Sequence, residues 1–195
     1  MDPNTALLLV DVQAGFDDPY WGRRNNPGAE ALLGRMLERW RSGGWPIFHV
    51  QHLSRNPGSP LRAGQPGSAL HPAVRPIPGE PVLQKDVNSA FIGTDLEARL
   101  RAAGIRRLVI GGLTTDHCVS TTVRMAANLG FEAIVLADGT ATFDRTGPDG
   151  RVWAARDLHE AEWASLHGEF ATVRSGEELL ASAELSARPL ARPPA

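Results

Sequence analysis

The sequence predicts an α/β fold, a three-layer sandwich in which a central, mostly parallel sheet of about six strands is flanked by helices. Two patterns carry this expectation. Short apolar runs alternate along the chain with longer segments whose apolar residues recur at helical spacing, and repeated strand and helix units build a parallel sheet with helices on both faces. The first apolar run, "ALLLVDV", is continuous and stops at an acid, as a strand buried on both faces does. A chain of 195 residues, 42% hydrophobic and 22% charged, can bury a full core without disulfides or metal clips.

In chain order, "AEALLGRMLERWRSGG" follows, with Leu32, Leu33, Met36, Leu37 and Trp40 on one helical face and a C-terminal stop at Gly43 and Gly44. "WPIFHVQ" and "PVLQK" read as strands, "TDLEARLRAAG" as a helix whose Thr94 and Glu97 fit a capping box, and "RRLVIGG" as a strand. "HCVSTTVRMAANLG" reads as a helix and "EAIVLAD" as a strand. A helix is expected from about 151 to 167, then the short strand "FATVR" and "SGEELLAS", where Ser175 and Glu178 fit a second capping box. Residues 53–80 are rich in proline and glycine, and so long a loop in a compact domain is a lid, a binding loop or a mobile segment. No internal repeat is visible. Residues 1–184 are therefore expected to form one domain, and residues 185–195, ending "ARPLARPPA", a proline-rich tail that makes neither helix nor strand.

Charge narrows the partners. A formal charge of -2 lacks the basic field that holds nucleic acid or an anionic membrane, so a small molecule is the expected partner. The start, "MDPNTALLLVDVQ", has an apolar run of residues 6–10 only, no basic flank and an acid directly after, unlike a signal peptide or a membrane span. A cytoplasmic location is expected. The one cysteine cannot form an internal disulfide, and in a reducing compartment it persists as a thiol, reactive or inert.

In an open parallel sheet ligands bind at the strand carboxyl ends, where loops and helix N-termini converge. Asp11 ends the first strand, Lys85 ends "PVLQK", and Cys118 opens the helix after "RRLVIGG". Singly, each has a structural alternative: Asp11 as a cap, Lys85 as a solvated strand end, Cys118 as a small core hydrophobe. Together on one edge they form a candidate site. A thiol at a helix start beside an ammonium is expected to be unusually acidic.

"LLLVDVQAGF", "KDVNSAFIGTDLEARL" and "GGLTTDHCVSTTVRMAANLGFEAIVLADGTATF" together resemble the isochorismatase-like cysteine hydrolase superfamily, which includes nicotinamidases and other small-amide hydrolases. The resemblance spans residues 6 to about 173 and implies the isochorismatase-like fold. It places the catalytic acid at Asp11, the lysine at Lys85 and the nucleophile at Cys118. It also implies a non-proline cis peptide between Leu113 and Thr114, turning the amides of Thr114 and Cys118 toward one point as an oxyanion hole. The implied chemistry is attack of Cys118 on a small amide, ureido or imide-type carbon, with Asp11 shuttling the proton and Lys85 keeping Asp11 ionised.

Phe16, Trp21 and Phe91 lie just beyond the catalytic strand ends and are candidate pocket walls, with ordinary packing as the alternative; His117 abuts the nucleophile as a candidate substrate contact. Nicotinamidases need an Asp and a His spaced one apart after the second strand, whereas this chain has "HVQHLS", with Gln51 and Leu53 at those places. His49 and His52, three apart in a strand, point to opposite faces. No metal and no cofactor are therefore expected. Two other readings compete, an isochorismatase-type vinyl ether hydrolase that does not need the cysteine and a catalytically idle assembly or binding module. The resemblance, with the proline-rich loop and tail, also implies a homodimer or larger homo-oligomer.

Overall fold

The computed structural model describes residues 2–182, so the expected tail at 185–195 lies outside the described residues. Strand β1 (Thr5–Val10) is followed by α1 (Ala29–Gly43), β2 (Ile47–His52), β3 (Val82–Lys85), α2 (Leu96–Ala102), β4 (Arg107–Leu113), α3 (Ser120–Asn128) and β5 (Glu132–Ala141). After these come β6 (Arg145–Thr146), β7 (Val152–Trp153), α4 (Ala155–Leu166), β8 (Thr172–Arg174) and α5 (Gly176–Ala181). Six strands form one sheet in the order β3-β2-β1-β4-β5-β8, and every neighbouring pair is parallel. β6 and β7 make a separate antiparallel pair. Among the described residues no helix is long and apolar enough to cross a membrane.

The alternation of a strand's side chains divides the core into two layers. Leu7 and Leu9 of β1 pack with Leu32, Leu33, Met36, Leu37 and Trp40 of α1 and with Leu179 of α5. Ala6, Leu8 and Val10 pack on the other face with Leu96 and Leu100 of α2, Val123 and Ala126 of α3 and Leu166 of α4. All of β1 is buried, which is why its sequence is a continuous apolar run. Each buried leucine contributes about 1.5–3 kcal/mol.

Two local expectations differ from what forms, and a third holds. The segment expected to be helical from about 151 first pairs as β7, and α4 starts only at Ala155, whose amide donates to Asp144 Oδ1 at 2.8 Å. That cap comes from another segment and leaves no local signature. In α2, Thr94 Oγ1 accepts the Leu96 amide at 3.3 Å, but Glu97 pairs with Arg101 and does not close the box. Ser175, by contrast, accepts the Glu178 amide at 3.3 Å as its spacing predicts.

The loop 53–80, expected to be a lid, a binding loop or a mobile segment, joins the core. Leu61 and Val74 are buried, the Ala14 amide donates to Ala69 O at 2.9 Å, and the His71 amide donates to Val12 O at 2.9 Å. Its far end is fixed by Glu80, which accepts from Arg41 Nε at 2.8 Å and Nη2 at 2.9 Å, and from fully buried His49 at 2.9 Å. Burial alone would raise the Glu80 carboxyl, but the bonds from Arg41, His49 and the Ile77 amide outweigh it and hold it at about 2. Burial also lowers His49, so it stays neutral and donates to Glu80.

Both shifts have the same sign. The unfolded chain takes up protons at these groups more readily than the folded chain, so stability rises with pH. Their contribution is complete above the ordinary histidine value of 6.5 and is lost as pH falls from there toward about 2. Glu80→Gln is therefore expected to lower Tm most at pH 7, with the gap to wild type closing toward pH 3. Thermal melts across that range give the check, and a gap independent of pH would contradict it.

Candidate active site

Asp11 lies one residue past β1, where its amide donates to Val50 O at 3.0 Å and its φ of 53° turns the chain in the left-handed region that aspartate tolerates better than most residues. Lys85 ends β3, paired in register with His52 at the end of β2. Cys118 lies in a single π-helical turn, Thr115–Val119, that leads into α3. The Leu113-Thr114 peptide is cis, and Thr114 O accepts the amides of His117 at 3.2 Å and Val119 at 3.1 Å. The glycines before this turn have a packing cause: at Gly112, with φ 138°, a Cβ would lie 1.8 Å from Val10 O. Only glycine lets β4 approach β1 there.

Lys85 Nζ donates to Asp11 Oδ2 at 2.5 Å, and both side chains are fully buried. The same ammonium lies 3.2 Å from His52 Nδ1 and donates to Val87 O at 3.1 Å. A cation has only protons to offer, so His52 Nδ1 is the acceptor. Burial, helped by the charge of Lys85, lowers His52 and keeps it neutral. Asp11 Oδ1 is buried and has no hydrogen-bond partner among the described residues.

The sulfur is not acidic, which corrects the expectation of an activated thiol. Burial pushes Cys118 well up and the Asp11 carboxylate adds to this, outweighing the favourable charge of Lys85. Burial likewise raises Asp11 against the pull of Lys85. One ammonium faces two groups that each ionise to an anion, so only one negative charge is balanced and the thiol keeps its proton. Sequence position alone registered the helix start and the lysine but not the desolvation.

Ligand-type atoms of Asp11, His52 and Cys118 lie within 4.8 Å of one another, as metal donors would. The Lys85 ammonium, bonded to two of the three, makes the cluster a poor fit for a metal ion, since a second cation there would meet like charge at close range.

The aromatic residues expected to be pocket walls divide into two groups. Phe16, Trp21 and Phe143 form one aromatic cluster, with ring centroids 5.1 Å apart for Phe16 and Trp21 and 5.7 Å for Trp21 and Phe143. That cluster packs with Leu113, directly before Thr114. Phe91 instead lies 6.0 Å from Phe131, the residue before β5, at the amino edge of the sheet. This corrects its placement as a pocket wall: after Ala90 the chain has turned away from the carboxyl edge. His117 is half-exposed, with Nδ1 3.5 Å from Arg145 Nη2.

Several site neighbours escaped the sequence reading. His52 is legible as the end of the second predicted strand, but its pairing with Lys85 is not. Asn88 Oδ1 lies 3.9 Å from Cys118 Sγ. Fully internal His159 lies 2.7 Å from Thr115 Oγ1 and 3.1 Å from Ala137 O, and burial lowers it to about 4. Arg145 Nε donates to Asp116 Oδ2 at 3.1 Å, and Thr142 donates to the other Asp116 oxygen. These contacts join segments far apart in sequence, and no local pattern marks them.

The parallel sheet, its two helical layers and the cluster at its carboxyl edge define the class, a three-layer α/β hydrolase. The chain belongs to the isochorismatase family: the family's Isochorismatase domain matches residues 5–178. It is 43% identical over 180 residues to the isochorismatase family protein YrdC of Bacillus subtilis, covering 92% of this chain and 96% of that one. It is 31% identical over 209 residues to the ureidoacrylate amidohydrolase RutB of Methylobacterium radiotolerans, covering 89% and 77%. The crystal structure of a hydrolase of the isochorismatase family from Chromobacterium violaceum superposes with a TM-score of 0.88 at 47% identity, covering 92% of this chain and 93% of that one.

Proposed function

We propose that the protein is a cysteine amidohydrolase that cleaves a C–N bond of a small amide, ureido or imide-type compound through a thioester on Cys118. The observation that carries this reading is the asymmetry of Asp11: Oδ2 is held by Lys85 and buried Oδ1 has no hydrogen-bond partner among the described residues, while the carboxylate lies in one cluster with the thiol. An unpaired carboxylate oxygen beside a protonated thiol is a base waiting for that proton.

The steps follow from these groups. As Sγ bonds to the acyl carbon, the thiol proton passes to Asp11 Oδ1, and the negative charge moves from the carboxylate to the substrate oxygen. The amides of Thr114 and Cys118 receive that oxyanion. Asp11 then returns the proton to the departing nitrogen as the C–N bond breaks, leaving a thioester. Water attacks the thioester, giving one proton to Asp11, and the acid leaves as that proton returns to sulfur. Lys85 keeps its charge throughout and balances whichever anion is present. The similarity to an amidohydrolase supports the C–N assignment.

A panel of small primary amides, ureido acids and cyclic imides tests the reading. At least one member is expected to release ammonia or an open-chain acid. Turnover confined to vinyl ethers, with every amide inert, would contradict it.

A further inference from the structure

The thiol has an inner and an outer side. The inner side is filled by Asp11 and Lys85, which are 0% and 4% exposed, while Asn88, 3.9 Å from Sγ through Oδ1, is exposed. A substrate reaches the sulfur from the side that solvent reaches, and there it meets the Asn88 carboxamide.

The backbone on both sides of Asn88 is tied to the site. Lys85 Nζ donates to Val87 O at 3.1 Å, and the Ala90 amide donates to Thr122 Oγ1 at 3.0 Å, on α3, the helix that follows the turn holding Cys118. Asn88 therefore sits in a short bridge between the ammonium and the helix that follows the nucleophile. Its Nδ2 bonds to none of the described residues, leaving the exposed carboxamide with both a donor and an acceptor for a ligand.

Resting on the cysteine mechanism above, we propose that Asn88 is a specificity-determining residue that reads the nitrogen of the scissile group. Its Oδ1, which accepts the thiol in the free protein, accepts an N–H of a primary amide or ureido substrate once that substrate stands against the sulfur. An ester of the same shape offers no N–H and leaves this acceptor unpaired. Asn88 thereby selects C–N over C–O substrates, a distinction that the Asp11, Lys85 and Cys118 cluster does not itself make.

Alkylation of Cys118 tests this without turnover. The chain has one cysteine, so every added mass reports that site. Iodoacetamide and methyl iodoacetate are both uncharged and differ in the amide against the ester. The ratio of their rates cancels changes in sulfur nucleophilicity, and the ester rate checks that the site is intact. In Asn88→Ala the amide-to-ester ratio is expected to fall about tenfold, as for loss of one hydrogen bond. Asn88→Asp, which keeps acceptor oxygens, is expected to retain the wild-type ratio. A ratio unchanged in Asn88→Ala, or one that falls equally in Asn88→Asp, overturns the proposal. Absence of amide turnover would count against the reaction proposed above, while the alkylation ratio would still decide the role of Asn88.

Discussion

Cys118→Ala is expected to abolish hydrolysis of any amide that the wild-type protein turns over, a loss on the order of 10⁴–10⁶-fold, as when a triad hydrolase loses its nucleophile. The size follows from the site's construction. Asp11 and Lys85 are fully buried behind the sulfur, so without it the carboxylate has no thiol to deprotonate and no acyl group to receive. The variant should still fold, because Cys118 is one small member of a large core cluster and alanine keeps most of its packing. A complementary experiment looks for the intermediate: the wild-type protein with a slow substrate is expected to show an acyl adduct by intact mass spectrometry, its added mass identifying the acyl half, whereas Asp11→Ala, which lacks the base for acylation, is expected to show none. Turnover undiminished in Cys118→Ala would sink the thioester mechanism and favour ether hydrolysis.

The second large effect is on stability. Lys85→Met leaves the Asp11 carboxyl at full burial without its counter-charge, and breaking a buried ion pair from one side costs about 3–5 kcal/mol. The same change removes the donor to Val87 O and to His52 Nδ1, so the segment carrying Asn88 also loses an anchor. Urea unfolding at pH 7 should show the loss, and activity should fall by about 10²–10⁴-fold because an unpaired buried Asp11 takes up a proton and ceases to be a base. The sign with pH can be worked out. Burial already raises Asp11 in the folded protein, and losing Lys85 raises it further, so the penalty belongs to the ionised form and shrinks as pH falls. Asp11→Asn combined with Lys85→Met should recover much of the stability while remaining inactive. A Lys85→Met protein as stable as wild type would show that the pair contributes nothing.

The sequence by itself determined the layered architecture and the positions of Asp11, Lys85 and Cys118 at strand carboxyl ends. Periodicity, helix stops and apolar runs are local properties, written within a dozen residues of where they act. The continuous run in β1 already demanded burial on both faces, and the face occupied by α1 could be read from its leucines. Tertiary structure decided the rest. The order β3-β2-β1-β4-β5-β8 places β1 between β2 and β4 and so converges residues 11, 85 and 118 on one point. It also brings in His52 and Asn88, turns Phe91 onto Phe131, and fixes Glu80 under Arg41 and His49. The acidity of Cys118 was decided there too, and in the opposite direction from its sequence setting. A helix start and a nearby lysine are visible along the chain, but desolvation depends on everything that packs around the sulfur, and it outweighs both.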